Sequence, residues 1–296
     1  MSLGLGLPSS MAFISDCTEI EERARVSGII ILATFILAFV AMAIIRTLGL
    51  ELVNVIFLFA IVRSTSLIAL AFDKFEYQSL KPTQVRLPNI AYKEFLFYLF
   101  PWIMFSVAAG LAWSLIPLKP EFDAVRSLGT NLRYVGIAIF GLISGITADR
   151  YGRKPPIIAA LIMLGLSFAL IGFNMNQTSA LIYLVVSGIA WGLLFVVFLA
   201  IPGDLSKPGS RETFYGIGYI APLAILFALS SIPGETMFTY ISASSLSQVL
   251  SFILFMSIIP ILMATETLPK ERMQERKMKN HLKKLEEIIE ENKEAG

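Results

Sequence analysis

The sequence predicts an all-α integral membrane protein, a helical bundle with eight complete spanning helices. Of its 296 residues 56% are hydrophobic and only 16% charged, where soluble domains carry about 25% charged residues. Mean hydropathy is +0.73. Eight apolar runs are each long enough to cross about 30 Å of hydrocarbon as a helix. None alternates in hydrophobicity every second residue, which excludes the short, alternating strands of a membrane barrel.

Taken in order, residues 1 to 15 (MSLGLGLPSSMAFIS) come first and are too short to span. They lack the positively charged start of a secretory leader and read as half of a helix. The spans then follow at 27 to 45, 50 to 72, 95 to 117, 132 to 148, 157 to 173, 179 to 201, 214 to 232 and 242 to 264. Residues 73 to 94 form a longer polar loop between the second and third spans. The charged tail, 265 to 296, reads as a helix with Leu282, Leu285 and Ile289 on one face, solvated or lying on the lipid surface.

Several chemistries are excluded early. Cys17 is the only cysteine and His281, in the tail, the only histidine. An intrachain disulfide is impossible, and no metal site or cofactor is expected. No Asp or Glu lies in the middle of a span, Glu51 and Glu94 being at span ends. Acid, base or metal catalysis inside the membrane therefore has no residues to work with, and an enzyme is not expected.

Alternating the loops between two sides collects nineteen of the twenty-four Lys and Arg residues on one of them: 16 to 26, 73 to 94, 149 to 156, 202 to 213 and the tail. The positive-inside rule makes that side cytoplasmic, in a multi-pass protein of the cell membrane with a cytoplasmic C-terminal tail. The opposite side holds Arg46, Lys119, Arg126 and Arg133. Arg63 alone falls well inside a span.

Two features stand out among the cytoplasmic loops. The stretch GITADRYGRKPP, residues 145 to 156, sets Asp149, Arg150, Arg153 and Lys154 between two apolar spans, with Gly145 and Gly152 available for close approach and a tight turn. An internal repeat pairs Asp16, Arg23 and Gly28 with Asp204, Arg211 and Gly216 at a constant offset of 188 residues. Each copy follows an apolar run and precedes a span, and the interval corresponds to six helices, a parallel repeat of transporter type.

At these residues the chain resembles the major facilitator superfamily, whose members have twelve helices in two six-helix halves. Gly145, Asp149, Arg150, Gly152, Arg153 and Lys154 match its G-x-x-x-D-R-x-G-R-K loop. The Asp/Arg pairs resemble its E-x6-R element with Asp for Glu, and ETLP at 266 to 269 resembles the exit from its last helix. The resemblance implies a bundle lacking helices one to three, with residues 1 to 72 the remainder of the N-terminal half and 95 to 264 the C-terminal half. It implies an N-terminally truncated transporter. It implies that Asp149 faces the start of the next half near Arg25 and Gly28, as part of a cytoplasmic gate. Asp16 with Arg23, and Asp204 with Arg211, would add charge-assisted contacts that break on opening. The other reading of the loop is that its charge only fixes topology.

The resemblance also points to a substrate path. Ser106, Gly110 and Trp113 share one helical face, as do Tyr183, Ser187 and Trp191, although such stripes also serve plain packing. Arg63 is a candidate contact for substrate or counter-ion, or a snorkelling or structurally paired cation. Gly188 and Gly192 form a GxxxG that reads as a helix contact. The implied function is secondary active transport of a small solute by alternating access, with the lipid bilayer as environment, a small-molecule substrate and, where flux is coupled, an ion as partners. No nucleic acid is expected. The alternative is a non-transporting sensor or scaffold derived from the same fold.

Overall fold

The computed structural model describes residues 2–49, 53–57, 60–61, 89–116, 120–207 and 209–268, and among these every regular element is helical. A short helix α1 (Ser2–Asp16) leads into α2 (Arg23–Leu48). After α3 (Asn89–Leu111) come the long α4 (Asp123–Tyr151), α5 (Lys154–Phe173) and α6 (Gln177–Leu205). The last part of the bundle holds α7 (Arg211–Tyr215), α8 (Ala221–Ser230), α9 (Gly234–Tyr240), α10 (Ala243–Met256) and α11 (Ile258–Met263). Among the described residues seven helices are long and apolar enough to cross a membrane, from Arg23–Ile45 to Ala243–Met263. The chain is a multi-pass helical membrane protein. The span expected at 50 to 72, with Arg63, lies largely outside the described residues, as do most of the loop at 73 to 94 and the tail beyond 268.

Breaks in the helices follow from proline chemistry. Pro222 offers no amide to the preceding turn, and the backbone between α7 and α8 widens into a single π turn at Gly216–Ile220. Pro260 follows a similar interruption at Ser257, whose hydroxyl turns back to the Leu254 carbonyl at 2.6 Å.

Between membrane helices no water is squeezed out, so close backbone contact has to come from small residues. The principal contacts of α4 are with α6 on one side and α2 on another. At the α4–α6 crossing a Cβ on Gly188 would stand 2.5 Å from the Arg133 carbonyl oxygen, and one on Gly192 would stand 2.7 Å from that of Ile137. The Gly188/Gly192 pair is a helix contact, as its spacing suggests. On the α2 side Gly28 lies against the Gly141 carbonyl, and Gly145 against that of Ala24. Helix α5 packs on α6 and α10, and α3 packs on α8. Trp102 fills the centre, stacked on Phe105 and on Phe198 at ring distances of 5.2 and 4.7 Å.

Candidate functional site

At one end of the bundle the chain turns from α4 into α5 at Gly152, with φ 106°, a backbone conformation that side-chain-bearing residues rarely adopt. That turn aims Asp149, in the last turn of α4, at the start of α2. Its carboxylate accepts the Arg25 amide at 2.8 Å and the Ala24 amide at 3.2 Å. Amides in the first helical turn have no partner within their own helix and carry the positive end of the helix dipole, so a carboxylate there is doubly matched.

Arg153 joins this contact to the rest of the lattice. It is fully buried and donates from Nη1 to Asp149 at 2.5 Å, from Nε to Asp204 at 2.9 Å and from Nη2 to the Ile20 carbonyl at 2.6 Å. Burial works against its charge, but Asp204 and Asp149 outweigh that cost and hold the guanidinium above its ordinary pKa. Asp204, near the end of α6, also accepts Arg23 Nη1 at 2.7 Å and the Thr267 hydroxyl at 3.1 Å. Arg23 spends a second amino group on the Ser15 and Thr18 carbonyls, at 3.0 and 3.1 Å. The result is a buried chain Asp149–Arg153–Asp204–Arg23, two acids and two bases with no net charge.

The pairing within each repeat copy is corrected by this geometry. The expected partners Asp16 with Arg23 and Asp204 with Arg211 are exchanged: Arg23 binds Asp204, and Arg211 binds Asp16. The two loops face each other, so each arginine, at the head of one helix, reaches the aspartate across the gap more readily than the one behind it on its own loop. The two pairs differ in setting. Arg23 and Asp204 have side chains 3% and 0% exposed, whereas Asp16 is 52% exposed. The repeat glycines differ as well, Gly28 being wedged against α4 and Gly216 sitting in the π turn with open space around it.

The remaining motif residues serve the edges of the lattice. Arg150 is exposed, and Arg25 makes only a surface pair with Glu22 at 3.7 Å. The ammonium of Lys154 caps α11, donating to the Leu262 and Ala264 carbonyls at 3.1 and 2.8 Å. Glu266 does the same for α5: Pro155 and Pro156 have no amide to offer, and Glu266 accepts the two amides before them, Arg153 at 2.7 Å and Lys154 at 3.2 Å. Its role escaped the sequence reading. The signal was there, an acid directly after a span, but nothing in the sequence says which helix head it will reach.

The candidate path residues scatter. Ser106 is buried in α3, and among the described residues its hydroxyl has no hydrogen-bond partner. Trp113 lies beyond α3, in a 3-10 turn at Ala112–Ser114, and is half exposed. Tyr183 packs on Phe168 at 5.2 Å, and Ser187 donates to the Leu184 carbonyl at 2.8 Å. Trp191 joins an aromatic row with Phe105 and Phe195. Arg133, which the sequence reading placed at the outer end of the span 132 to 148, sits well inside α4, its guanidinium 4.3 Å from the Trp191 ring centre and 5.4 Å from that of Trp113. Hydropathy had placed the start of that span at 132, whereas the helix begins at Asp123. Among the described residues no group of His, Cys, Asp and Glu is arranged to hold a metal ion.

Fold and site together define a multi-pass helical membrane protein whose loops at one end are locked by buried ion pairs. Compared with models of known protein families and with curated proteins, the chain shows no match.

Proposed function

We propose that the chain is a secondary active transporter of major facilitator type, moving a small solute by alternating access, and that the lattice around Arg153 is its cytoplasmic gate. The observation that carries this is the exchanged pairing, which ties the loop of one repeat copy to the loop of the other through Arg23–Asp204 and Arg211–Asp16. An internal tie within each copy would stay intact when the halves rock apart, but a tie between copies must break. Such a contact sets the balance of two conformations and performs no chemistry. In this reading the basic end faces the cytoplasm of a cell-membrane protein, as the distribution of Lys and Arg expects.

The test is counterflow in proteoliposomes carrying the full chain, with a panel of labelled sugars, organic acids, amino acids and lipophilic cations. Saturable exchange of at least one solute is expected, with its rate changed at least several-fold in Asp204→Asn. Solute binding with no exchange in either direction would overturn the proposal and favour the sensor or scaffold.

A further inference from the structure

Arg133 is a cation set within a spanning helix, ten residues after Asp123, the first residue of α4. At 1.5 Å per residue the 29 residues of α4 make about 43 Å, more than the roughly 30 Å of hydrocarbon. Asp123 and Arg126 therefore reach past the apolar core, and Arg133 stands toward that end of the span, where a cation cut off from water is still costly. Its position is built rather than incidental. Gly188 lets the α4 backbone at Arg133 touch α6, which brings the guanidinium onto the Trp191 indole one turn further along α6. Trp113, from the 3-10 turn that follows α3, approaches as a second ring.

These rings do not complete the site. A cation over an aromatic face is attracted by the ring's electrons, but a ring face accepts no in-plane hydrogen bond. Among the described residues no carboxylate pairs with Arg133, and its Nε is buried without a hydrogen-bond partner. The sequence has no Asp or Glu in the middle of a span that would serve as a fixed counter-ion. The residue is half-buried rather than sealed in the core. The guanidinium carbon lies over the Trp191 and Trp113 rings, and its nitrogens are a fork of donors of the kind that matches two oxygens of one carboxylate.

We propose that Arg133 is the binding site for the carboxylate of a small organic anion whose apolar body lies against Trp113 and Trp191, the two rings beside the guanidinium. This deepens the transport reading, on which the delivery of such a solute rests. A carboxylate satisfies donors of the guanidinium, neutralises the membrane cation, and leaves an apolar remainder beside Trp113 and Trp191. A neutral sugar would do neither of the first two. An anionic lipid headgroup offers the same oxygens, so the test separates it from a soluble anion.

The full chain in nanodiscs of zwitterionic phosphatidylcholine is titrated with benzoate, lactate, acetate and inorganic phosphate, and with benzamide as the neutral partner of benzoate. The emission of its three tryptophans, two of which flank Arg133, is the readout. Benzoate is expected to shift the emission saturably, benzamide to need at least tenfold more, Arg133→Gln to lose at least tenfold in affinity for benzoate, and Arg133→Lys to keep part of it. The comparison of benzoate with benzamide on the unaltered chain decides the matter even where Arg133→Gln fails to fold. The proposal falls if none of the four anions gives a saturable change, if benzamide binds as well as benzoate, or if Arg133→Gln binds benzoate unchanged. It also falls if phosphatidylglycerol reproduces the shift and abolishes the benzoate response, which would make a headgroup the occupant. Benzoate binding without counterflow keeps the site and removes the transporter. Counterflow of neutral solutes without anion binding does the reverse.

Discussion

Arg153 has a task that only one side-chain type performs. Its fork reaches Asp149, Asp204 and the Ile20 carbonyl at once, three acceptors on three separate stretches of chain. A lysine would bring a compact charge to the same place but not three directed donors. Arg153→Lys is therefore expected to destabilise the protein nearly as much as Arg153→Gln, by about 3–5 kcal/mol, the cost of leaving a buried charge without its partner. Unfolding in a denaturing detergent measures this, and a lysine variant within about 1 kcal/mol of the parent would show that charge alone suffices. Gly152→Ala is expected to cost about 1–3 kcal/mol in the same assay, because alanine rarely adopts φ 106° and its Cβ would press on the Glu266 carboxylate. The residues of this loop were legible as four charges in an apolar setting. The resemblance placed Asp149 near Arg25, whose amide its carboxylate accepts, but the tie from Arg153 to Asp204 was not legible, because the two are distant in the chain and no periodicity connects them.

At the scale of elements, membrane helices announce themselves by hydropathy, and the apolar runs from 27 to 45 through 242 to 264, apart from 50 to 72, have helical counterparts. Their ends and faces are harder to read. Helix α4 starts at Asp123, since Arg126 and Arg133 dilute its first turns below the hydropathy of a span without stopping the helix. Trp113 was projected onto the face of Ser106 on an ideal helix, but α3 tightens into a 3-10 turn before reaching it, leaving Ser106 buried and Trp113 half exposed. The α4–α6 crossing depends on the absence of a side chain at Gly188, where a Cβ would stand 2.5 Å from the Arg133 carbonyl oxygen. Gly188→Leu is expected to force the helices apart at a cost of about 1–3 kcal/mol or more, while Gly216→Ala, which meets open space, stays within about 1 kcal/mol of the parent. The two variants compared by thermal unfolding check the claim. Equal losses would mean that the crossing yields.

For the molecule as a whole, the exchanged pairs make a quantitative claim about opening. A buried tie between the two repeat loops couples them, whereas an exposed one is screened by water and contributes about 0–1 kcal/mol. A double-mutant cycle on Arg23→Gln and Asp204→Asn should return a coupling at the upper end of the range of about 0.5–3 kcal/mol found for contacting residues, and the same cycle on Arg211→Gln and Asp16→Asn less than 1. If the lattice is a gate, that difference also appears as motion. Ser15 is buried behind Arg23, which donates to its carbonyl, and Cys17 is the single native cysteine. In a Cys17→Ser background, Ser15→Cys should react slowly with a membrane-impermeant maleimide. Adding Asp204→Asn removes one end of the tie. Each 1.4 kcal/mol of bias toward the open form then raises the labelling rate about tenfold while the open form remains the minor one. Asp16→Asn, on the exposed pair, should change it less than threefold. Equal acceleration by both would mean that labelling follows general loosening of the loops, and unchanged labelling in Asp204→Asn would mean that the buried ion pairs hold the fold together without gating it.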